Sequence, residues 1–297
     1  EKYMQILDGK ATAAQIRAEL KEEVGPLIER FGRQPGLAVI LVGEDPASQI
    51  YVRNKERACE EAGFRSESYR MHANMPQKAL EALIDSLNER DDIDGILLQL
   101  PLPEGLDSQR LVERISPRKD VDGFHPENVG RMTLGLPGFR PCTPAGVMEL
   151  LRRYNISADG KKAVVVGRSN IVGQPLSIML GASGSYANAT VTICHSHTPN
   201  LKEQCLQADM LMLAMGKPEC VTADMVKEGA IVVDVGINRT PEGLKGDCDF
   251  NAIKEKASAI TPVPGGVGPM TIAMLLINAF NAFKINNGLQ VDLSGGC

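Results

Sequence analysis

In the stretch PASQIYVRNK, residues 46–55, Ser48, Tyr51 and Lys55 are separated by intervals of three and four residues. On a helix those intervals bring all three to one side, so an aromatic surface and an ammonium group project together. Such a pair can stack on a flat ligand and hold a proton donor or a fixed charge beside it. The same spacing also serves an ordinary amphipathic face. Gln99 puts a polar amide near the end of the apolar run GILLQL, 95–100, just ahead of Pro101 and Pro103, where a heterocycle can use its donor and acceptor. In KDVDGFHP, 119–126, Asp120 and Asp122 flank the approach to Gly123. Either carboxylate suits an N–H-rich ring, and Asp with Gly equally closes a loop.

A second chemistry is written in AVVVGRSNIVG, 163–173. An apolar β-branched run meets Gly167, which takes a tight turn, and Gly173 allows the following helix to approach the sheet. Free N–H groups at that helix start suit a pyrophosphate. The spacing is Gly-x-Ser-x-x-x-Gly, so the segment by itself also reads as any strand-turn-helix. The next strand ends in His195, Ser196, His197 and Thr198, where an NAD-preferring site carries a carboxylate for the ribose. None stands there. The Ser196 hydroxyl, the His195 and His197 imidazoles and the Arg168 guanidinium suit the additional 2′-phosphate of NADP; Arg168 also reads as a solvated turn residue and the histidines as surface or satisfied polar residues, the reading preferred for His197. The loop TPVPGGVGPMT, 261–271, interleaves three glycines with three prolines, so a ligand can lie directly against its backbone, or it serves as a stiff linker.

These residues need elements to position them. Helices are expected at 11–29, 47–62 and 78–90, with strands at 37–42, 64–71 and 95–100. A Pro- and Gly-rich stretch at 134–144 marks a crossing between domains. Near-continuous apolar strands follow at 163–166, 189–194, 209–214 and 230–236, with helices at 198–207, 222–228 and 272–283. The alternation predicts an α/β protein of two α/β domains, the second a doubly wound (Rossmann-type) parallel sheet that binds ligands at the carboxyl ends of its strands.

The chain of 297 residues is long enough for two cores, and 43% hydrophobic with 23% charged residues is an ordinary globular balance. A net charge of −5 without a polybasic run argues against nucleic acid and for small-molecule partners. Seven cysteines with no C-x-x-C pair fit neither a disulfide framework nor a zinc cluster. The apolar run 272–283 is interrupted by two asparagines and is short for a bilayer. The amino-terminal stretch has no apolar core of the secretory kind.

Taken together, YVRNK (51–55), GILLQLPLP (95–103), KDVDGFHP (119–126), PCTP (141–144), GRSNIVG (167–173) and PGGVGPMT (264–271) resemble the bifunctional methylenetetrahydrofolate dehydrogenase/methenyltetrahydrofolate cyclohydrolase family. The resemblance covers nearly the whole chain, and the order of the motifs is specific. It implies a folate-binding catalytic domain of residues 1–142 plus 270–297, an NADP-binding domain of 143–269, and a folate cleft between them. It implies a cytoplasmic homodimer that oxidises 5,10-methylenetetrahydrofolate with NADP and hydrolyses the methenyl product to 10-formyltetrahydrofolate, with no metal. Lys55 would be the catalytic lysine, held by Gln99. Asp122 would bind the pterin edge, and Tyr51 would stack near the aminobenzoyl ring. Pro264, Gly265 and Gly266 would bring backbone to the folate. Thr143, Gly167, Arg168, Ser169, Ile171, Gly173, His195, Ser196 and Ile237 would line the cofactor. Departures are a longer run at 181–189, an unmatched tail after Asn286 that would be disordered, and His197 where relatives often carry a basic residue. The competing readings are another NADP-linked dehydrogenase, acting on a shikimate-like or amino-acid substrate, and a binding protein that has lost turnover.

Overall fold

The computed structural model describes residues 3–294. In chain order its elements are β1 (Gln5–Ile6), α1 (Gly9–Phe31), β2 (Gly36–Val42), α2 (Pro46–Ala62), β3 (Arg65–Met71), α3 (Gln77–Asn88), β4 (Gly95–Leu98), α4 (Ser108–Arg114), α5 (Pro126–Leu134), α6 (Cys142–Arg153), β5 (Lys162–Val166), α7 (Gly173–Gly181), β6 (Thr190–Cys194), α8 (Leu201–Leu206), β7 (Met210–Leu213), β8 (Ile231–Asp234), β9 (Asn238–Thr240), β10 (Gly243–Lys245), α9 (Phe250–Ile253), β11 (Ala259–Ile260) and α10 (Val267–Asn286). They fall into two compact units, and the division lies within α1 and within α10.

One unit holds 15–140 and 272–294. Its sheet is parallel, in the order β3-β2-β4, with Leu37 paired to both Ser66 and Gly95. β2 (GLAVILV) is buried at every position, as a central strand covered on both faces must be, whereas the edge strand β3 (RSESYRM) is polar and partly exposed. One face packs Ile40, Ile96 and Leu98 against Leu80, Ile84 and Leu111. Phe64 and Phe280 meet at 6.3 Å, and Phe31 meets Phe283 edge-on at 6.0 Å.

The other unit holds 141–271 together with the amino-terminal residues up to Ala14. Its six-stranded parallel sheet has the order β1-β11-β8-β7-β5-β6. Val164, Val166, Leu211, Leu213, Val232 and Ile260 form its core. β9 and β10 make a separate antiparallel hairpin.

Four expectations change. Gln5 and Ile6 pair with Ala259 and Ile260, so the first residues join the six-stranded sheet and not the unit assigned to 1–142; a two-residue strand has no readable period. The helix expected at 222–228 is a single 3-10 turn, Ala223–Met225, because Val226 turns to φ −118 and buries its side chain completely. The tail is docked through 294: the Gly138 N–H donates to Leu293 O at 3.0 Å, and the Arg140 guanidinium donates to Ser294 O at 3.1 Å. The remaining tail residues, 295–297, lie outside the described residues. Finally, α10 runs 20 residues with mean hydropathy 1.2, which by length and composition is enough to cross a bilayer, but half of that stretch is buried inside the protein. Its buried Asn278 donates to Val121 O at 2.9 Å and to Arg140 O at 3.2 Å, marking it as a core helix here.

Candidate active site

The α2 helix starts where the sequence stops a helix from starting earlier. Asp45 caps it by accepting from the Ser48 N–H at 2.9 Å and the Ser48 hydroxyl at 2.8 Å, and Pro46 fills the first turn, where no N–H is needed. Ser48 is thereby consumed as a capping partner and is 1% exposed, so it leaves the ligand-facing set. Tyr51 is 37% exposed and available for stacking. Lys55 is half-buried, and its ammonium Nζ donates to Gln99 Oε1 at 2.8 Å. Gln99 lies just past β4, buried, and its Nε2 donates to Leu100 O at 3.0 Å. That bond turns the amide so that its oxygen faces the lysine. A neutral acceptor orients the ammonium without locking it into an ion pair, leaving its other protons for a ligand.

The two aspartates of the DVD segment separate cleanly. Asp120 is 2% exposed and accepts from the His125 N–H at 2.8 Å and Asn128 Nδ2 at 2.9 Å, so it shapes the loop into α5. Asp122 is half-buried, and among the described residues no hydrogen bond ends on its carboxylate. Burial pushes its pKa up to about 6, with the charge of Lys55 pulling it down and that of Asp120 adding to the rise. This is a carboxylate held ready for an external donor. Asp120→Ala leaves the amides of Phe124 and His125 without an acceptor, Asn128 keeping Pro117 O, and is expected to cost about 3 kcal/mol of stability. Asp122→Asn is expected to leave the melting temperature at neutral pH unchanged or higher, because a raised folded pKa means that ionisation opposes folding. Thermal melts of the two variants at pH ~7 check the contrast.

In the six-stranded unit, Gly167 has φ +120, and a Cβ there would sit 2.2 Å from Ala214 O. A Cβ on Gly173 would sit 2.0 Å from Gly167 O, so both glycines are imposed by the turn itself. The expectation for the helix start is corrected. The Gln174 N–H is taken by Ser169 O at 2.9 Å and Pro175 has none, so the first turn of α7 offers few donors. The turn offers them instead: among the described residues the amides of 168–171 donate to nothing in the protein. Ser169 holds this turn, its hydroxyl accepting from the Val172 N–H at 3.1 Å. A glycine-walled turn whose amides have no acceptor in the protein fits a nucleotide phosphate.

At the end of β6 the His195 N–H donates to Thr198 Oγ1 at 2.8 Å, and His195 Nδ1 accepts from the His197 N–H at 3.2 Å. Burial, then Arg168 and His197, push the His195 imidazole below its usual range. Arg168, Ser196 and His197 are exposed. Ile171 and Ile237 are 42% and 43% exposed, leaving apolar surface against which a planar ring can lie. Thr143 Oγ1 and Thr271 Oγ1 share a hydrogen bond at 2.9 Å. In the loop before α10 the two glycines differ. Gly265, next to Pro264, has φ +93 with open space where a Cβ would point, while a Cβ on Gly266 would meet Pro262 O at 2.4 Å. A Cβ on Gly9 would likewise strike Gly266 O at 1.6 Å, so Gly266 answers to its own chain.

Sequence reasoning missed a buried pair beneath these loops. Asp247 accepts from the amides of Met215 at 2.7 Å and Lys217 at 3.0 Å and from Asn238 Nδ2 at 3.0 Å, while Asp234 accepts from the amides of Gly236, Asp247 and Cys248. The pair fixes the loops after β7 and β8, including the one bearing Ile237. An Asp closing an apolar strand just before a Val-Gly was the available signal.

Two family models match the chain: the tetrahydrofolate dehydrogenase/cyclohydrolase catalytic domain over residues 7–122 and the NAD(P)-binding domain of the same enzymes over residues 141–287. The bifunctional protein FolD of Nitratidesulfovibrio vulgaris (strain DSM 19637 / Miyazaki F) is 71% identical over 286 residues, covering 96% of this chain and 99% of that protein. The crystal structure of the bifunctional enzyme FolD, a methylenetetrahydrofolate dehydrogenase/cyclohydrolase from Campylobacter jejuni, superimposes with a TM-score of 0.92 at 52% identity, covering 95% of this chain and 99% of that one. The FolD of Trypanosoma brucei, crystallised with NADP cofactor and an inhibitor, gives a TM-score of 0.91 at 39% identity over 96% of this chain and 99% of that one.

Proposed function

The chain belongs to the tetrahydrofolate dehydrogenase/cyclohydrolase family, and from that premise we infer that it oxidises 5,10-methylenetetrahydrofolate to 5,10-methenyltetrahydrofolate with NADP and hydrolyses the product to 10-formyltetrahydrofolate. The observation that carries this reading is the Lys55 ammonium on Gln99 Oε1 at 2.8 Å beside the unpaired carboxylate of Asp122. Bound NADP supplies the hydride acceptor. The turn at 167–173 and the cluster of Arg168, His195 and Ser196 would hold its phosphates, with Thr143, Ile171 and Ile237 along its length.

Oxidation turns a neutral substrate into a cation, so the charges that face the folate decide the step. Asp122 would anchor the N–H-rich edge of the pterin and favour the developing positive charge. Tyr51 would cover the aminobenzoyl ring, and Gly265 would leave room for the ligand against the backbone. In the hydrolytic step water adds to the methenyl carbon and gives up one proton. The adduct then forms a C=O bond as its bond to N5 breaks and N5 gains a proton. The Lys55 ammonium, held by Gln99, would deliver a proton to N5 and regain one from the adduct hydroxyl, the first proton of the water passing to solvent.

The assignment of Asp122 carries a pH dependence. The dehydrogenase step needs the ionised carboxylate, whose pKa is raised to about 6. The rate constant kcat/KM is therefore expected to be flat at neutral pH and to fall tenfold per unit below pH ~6. In Asp122→Asn that acid limb disappears from a much lower plateau. Pre-steady-state hydride transfer measured against pH reads both.

The direct test follows methenyl and 10-formyl products separately on purified protein given 5,10-methylenetetrahydrofolate with NADP or NAD. Turnover with NADP and release of the formyl product supports the reading; no turnover with either nucleotide overturns it. Folate derivatives are the partners, and a cytoplasmic homodimer is the proposed state, which sedimentation equilibrium tests.

A further inference from the structure

We propose that Asn278 of α10 is a positioning residue for the folate: it fixes the turn that carries Asp122, and so holds that carboxylate in place for the pterin. The inference deepens the reading of Asp122 as the pterin anchor and rests on it. Three observations carry it, all within the unit of 15–140 and 272–294.

First, Asp122 sits at the centre of a tight turn. The segment 119–121 runs beside β4, the Ile96 N–H donating to Lys119 O at 2.8 Å, and the Gly123 N–H then closes a β-turn on Asp120 O at 3.2 Å. Val121 and Asp122 are the two central residues. The peptide between them takes no part in the closing bond, and its two orientations are the type I and type II forms. The second form demands a positive φ at Asp122, which that residue does not have. Second, Val121 is held on both sides of this peptide. Its side chain is completely buried, so close to the sheet that a Cβ on Gly95 would lie 2.6 Å from Val121 Cγ1. Its carbonyl, which belongs to the central peptide, accepts from Asn278 Nδ2 at 2.9 Å. That bond selects the orientation in which Asp122 keeps an ordinary backbone. Third, Asn278 is an expensive residue at its position. It is 8% exposed on a helix whose Leu275, Leu276, Ala279 and Phe280 are buried, where an amide costs stability unless it is bonded. The printed-out partners of its Nδ2 lie off the helix, Val121 O and, at 3.2 Å, Arg140 O.

The Asp122 carboxylate receives no hydrogen bond among the described residues, so its direction comes from the backbone beneath it. Asn278 ties down the one peptide of that backbone that the turn itself leaves free. A ligand donor then meets a carboxylate already in place, and the ordering cost does not fall on binding.

The test is a double-mutant cycle with Asp122→Asn, read as the dissociation constant for tetrahydrofolate by calorimetry. Asn278→Leu keeps the volume and removes the donor. It is expected to weaken tetrahydrofolate binding about tenfold, the size of one hydrogen bond to a charged group. In the Asp122→Asn background the same substitution is expected to change binding by less than about twofold. NADP affinity, and kcat for hydrolysis of methenyltetrahydrofolate at saturation, are expected to stay within about twofold of the unmodified protein. Asn286→Leu is the control for stability. It removes a bond of the same kind from the same helix, Nδ2 to Asp94 Oδ1 at 2.9 Å, and is expected to leave tetrahydrofolate binding unchanged. Asn278→Ser, with a shorter side chain, carries the same cycle if the leucine variant does not fold. Unchanged binding in the Asn278 variant, or equal losses with and without Asp122, overturns the proposal and leaves Asp122 as the anchor. A matching loss in Asn286→Leu overturns it as well. Undiminished binding in Asp122→Asn alone overturns the pterin-anchor reading, and this proposal with it.

Discussion

Lys55→Met is expected to lower the cyclohydrolase rate by about three orders of magnitude, the upper range for losing a positioned proton carrier, while the dissociation constant for folate changes little. Methionine keeps the unbranched stem and a helix propensity equal to that of lysine, so α2 and its packing survive. What disappears is the ammonium donated to Gln99 Oε1 at 2.8 Å. Hydride transfer has no need of that proton, and a cation beside a carbon that becomes positive opposes the step, so methenyl product should form and accumulate. Spectroscopic detection of methenyl product without release of 10-formyl product is the readout. Lys55→Arg separates two explanations, because arginine keeps the charge but does not give up a proton near neutral pH. If the arginine variant hydrolyses normally, Lys55 acts as a fixed charge and the proton-relay role fails. If the methionine variant hydrolyses normally, Lys55 leaves the mechanism altogether.

The same lysine shows what the sequence made legible. The interval from Tyr51 to Lys55 placed both on one side of a helix from local periodicity alone, and strands such as 37–42 and 163–166 were readable because burial on both faces demands an unbroken apolar run. Gln99 stood out as an amide next to such a run, but nothing in its neighbourhood predicts a contact with a residue 44 positions away. Ser48 shared the spacing of Tyr51 and Lys55 and was separated from them only by the position of Asp45, since a helix start converts a serine into a cap partner. Asp120 and Asp122 are indistinguishable as sequence. Their difference lies in tertiary donors: Asn128 and the His125 amide reach one and not the other.

Elements without a period were out of reach. β1 and β11 have two residues each, and they exist because each is paired in a sheet whose other strands were visible. The buried Asp247 was equally hidden, because a loop Asp carries no mark of the backbone amides it collects, and Asp234 was signalled only by closing an apolar strand. His197 is the converse case. Read as a surface residue, it is indeed exposed, yet its own N–H donates to Nδ1 of the neighbouring His195 imidazole and helps to orient that ring. Exposure there describes availability to a ligand.

Gly173→Ala is expected to weaken NADP binding by at least about a hundredfold and to cost roughly 1–3 kcal/mol of stability through forced movement of packed groups. The added Cβ falls 2.0 Å from Gly167 O, 2.4 Å from Gly167 C and 2.9 Å from Arg168 N, all of them backbone atoms that cannot rotate away. The turn must open, and with it move the unpartnered amides of 168–171 and the start of the Arg168 side chain. Gly130→Ala is the control: it lies in α5, where a Cβ meets nothing within 4 Å, so the same substitution there should raise stability by about 0.5–1 kcal/mol. Hydrolysis of added methenyltetrahydrofolate consumes no nucleotide and relies on Lys55 and Gln99, neither of which is in the sheet that carries this turn. In Gly173→Ala that activity should persist while NADP affinity, measured by calorimetry, collapses. Undiminished affinity would show that the phosphates bind elsewhere; loss of hydrolysis together with binding would trace the defect to global unfolding and remove the turn as its specific cause.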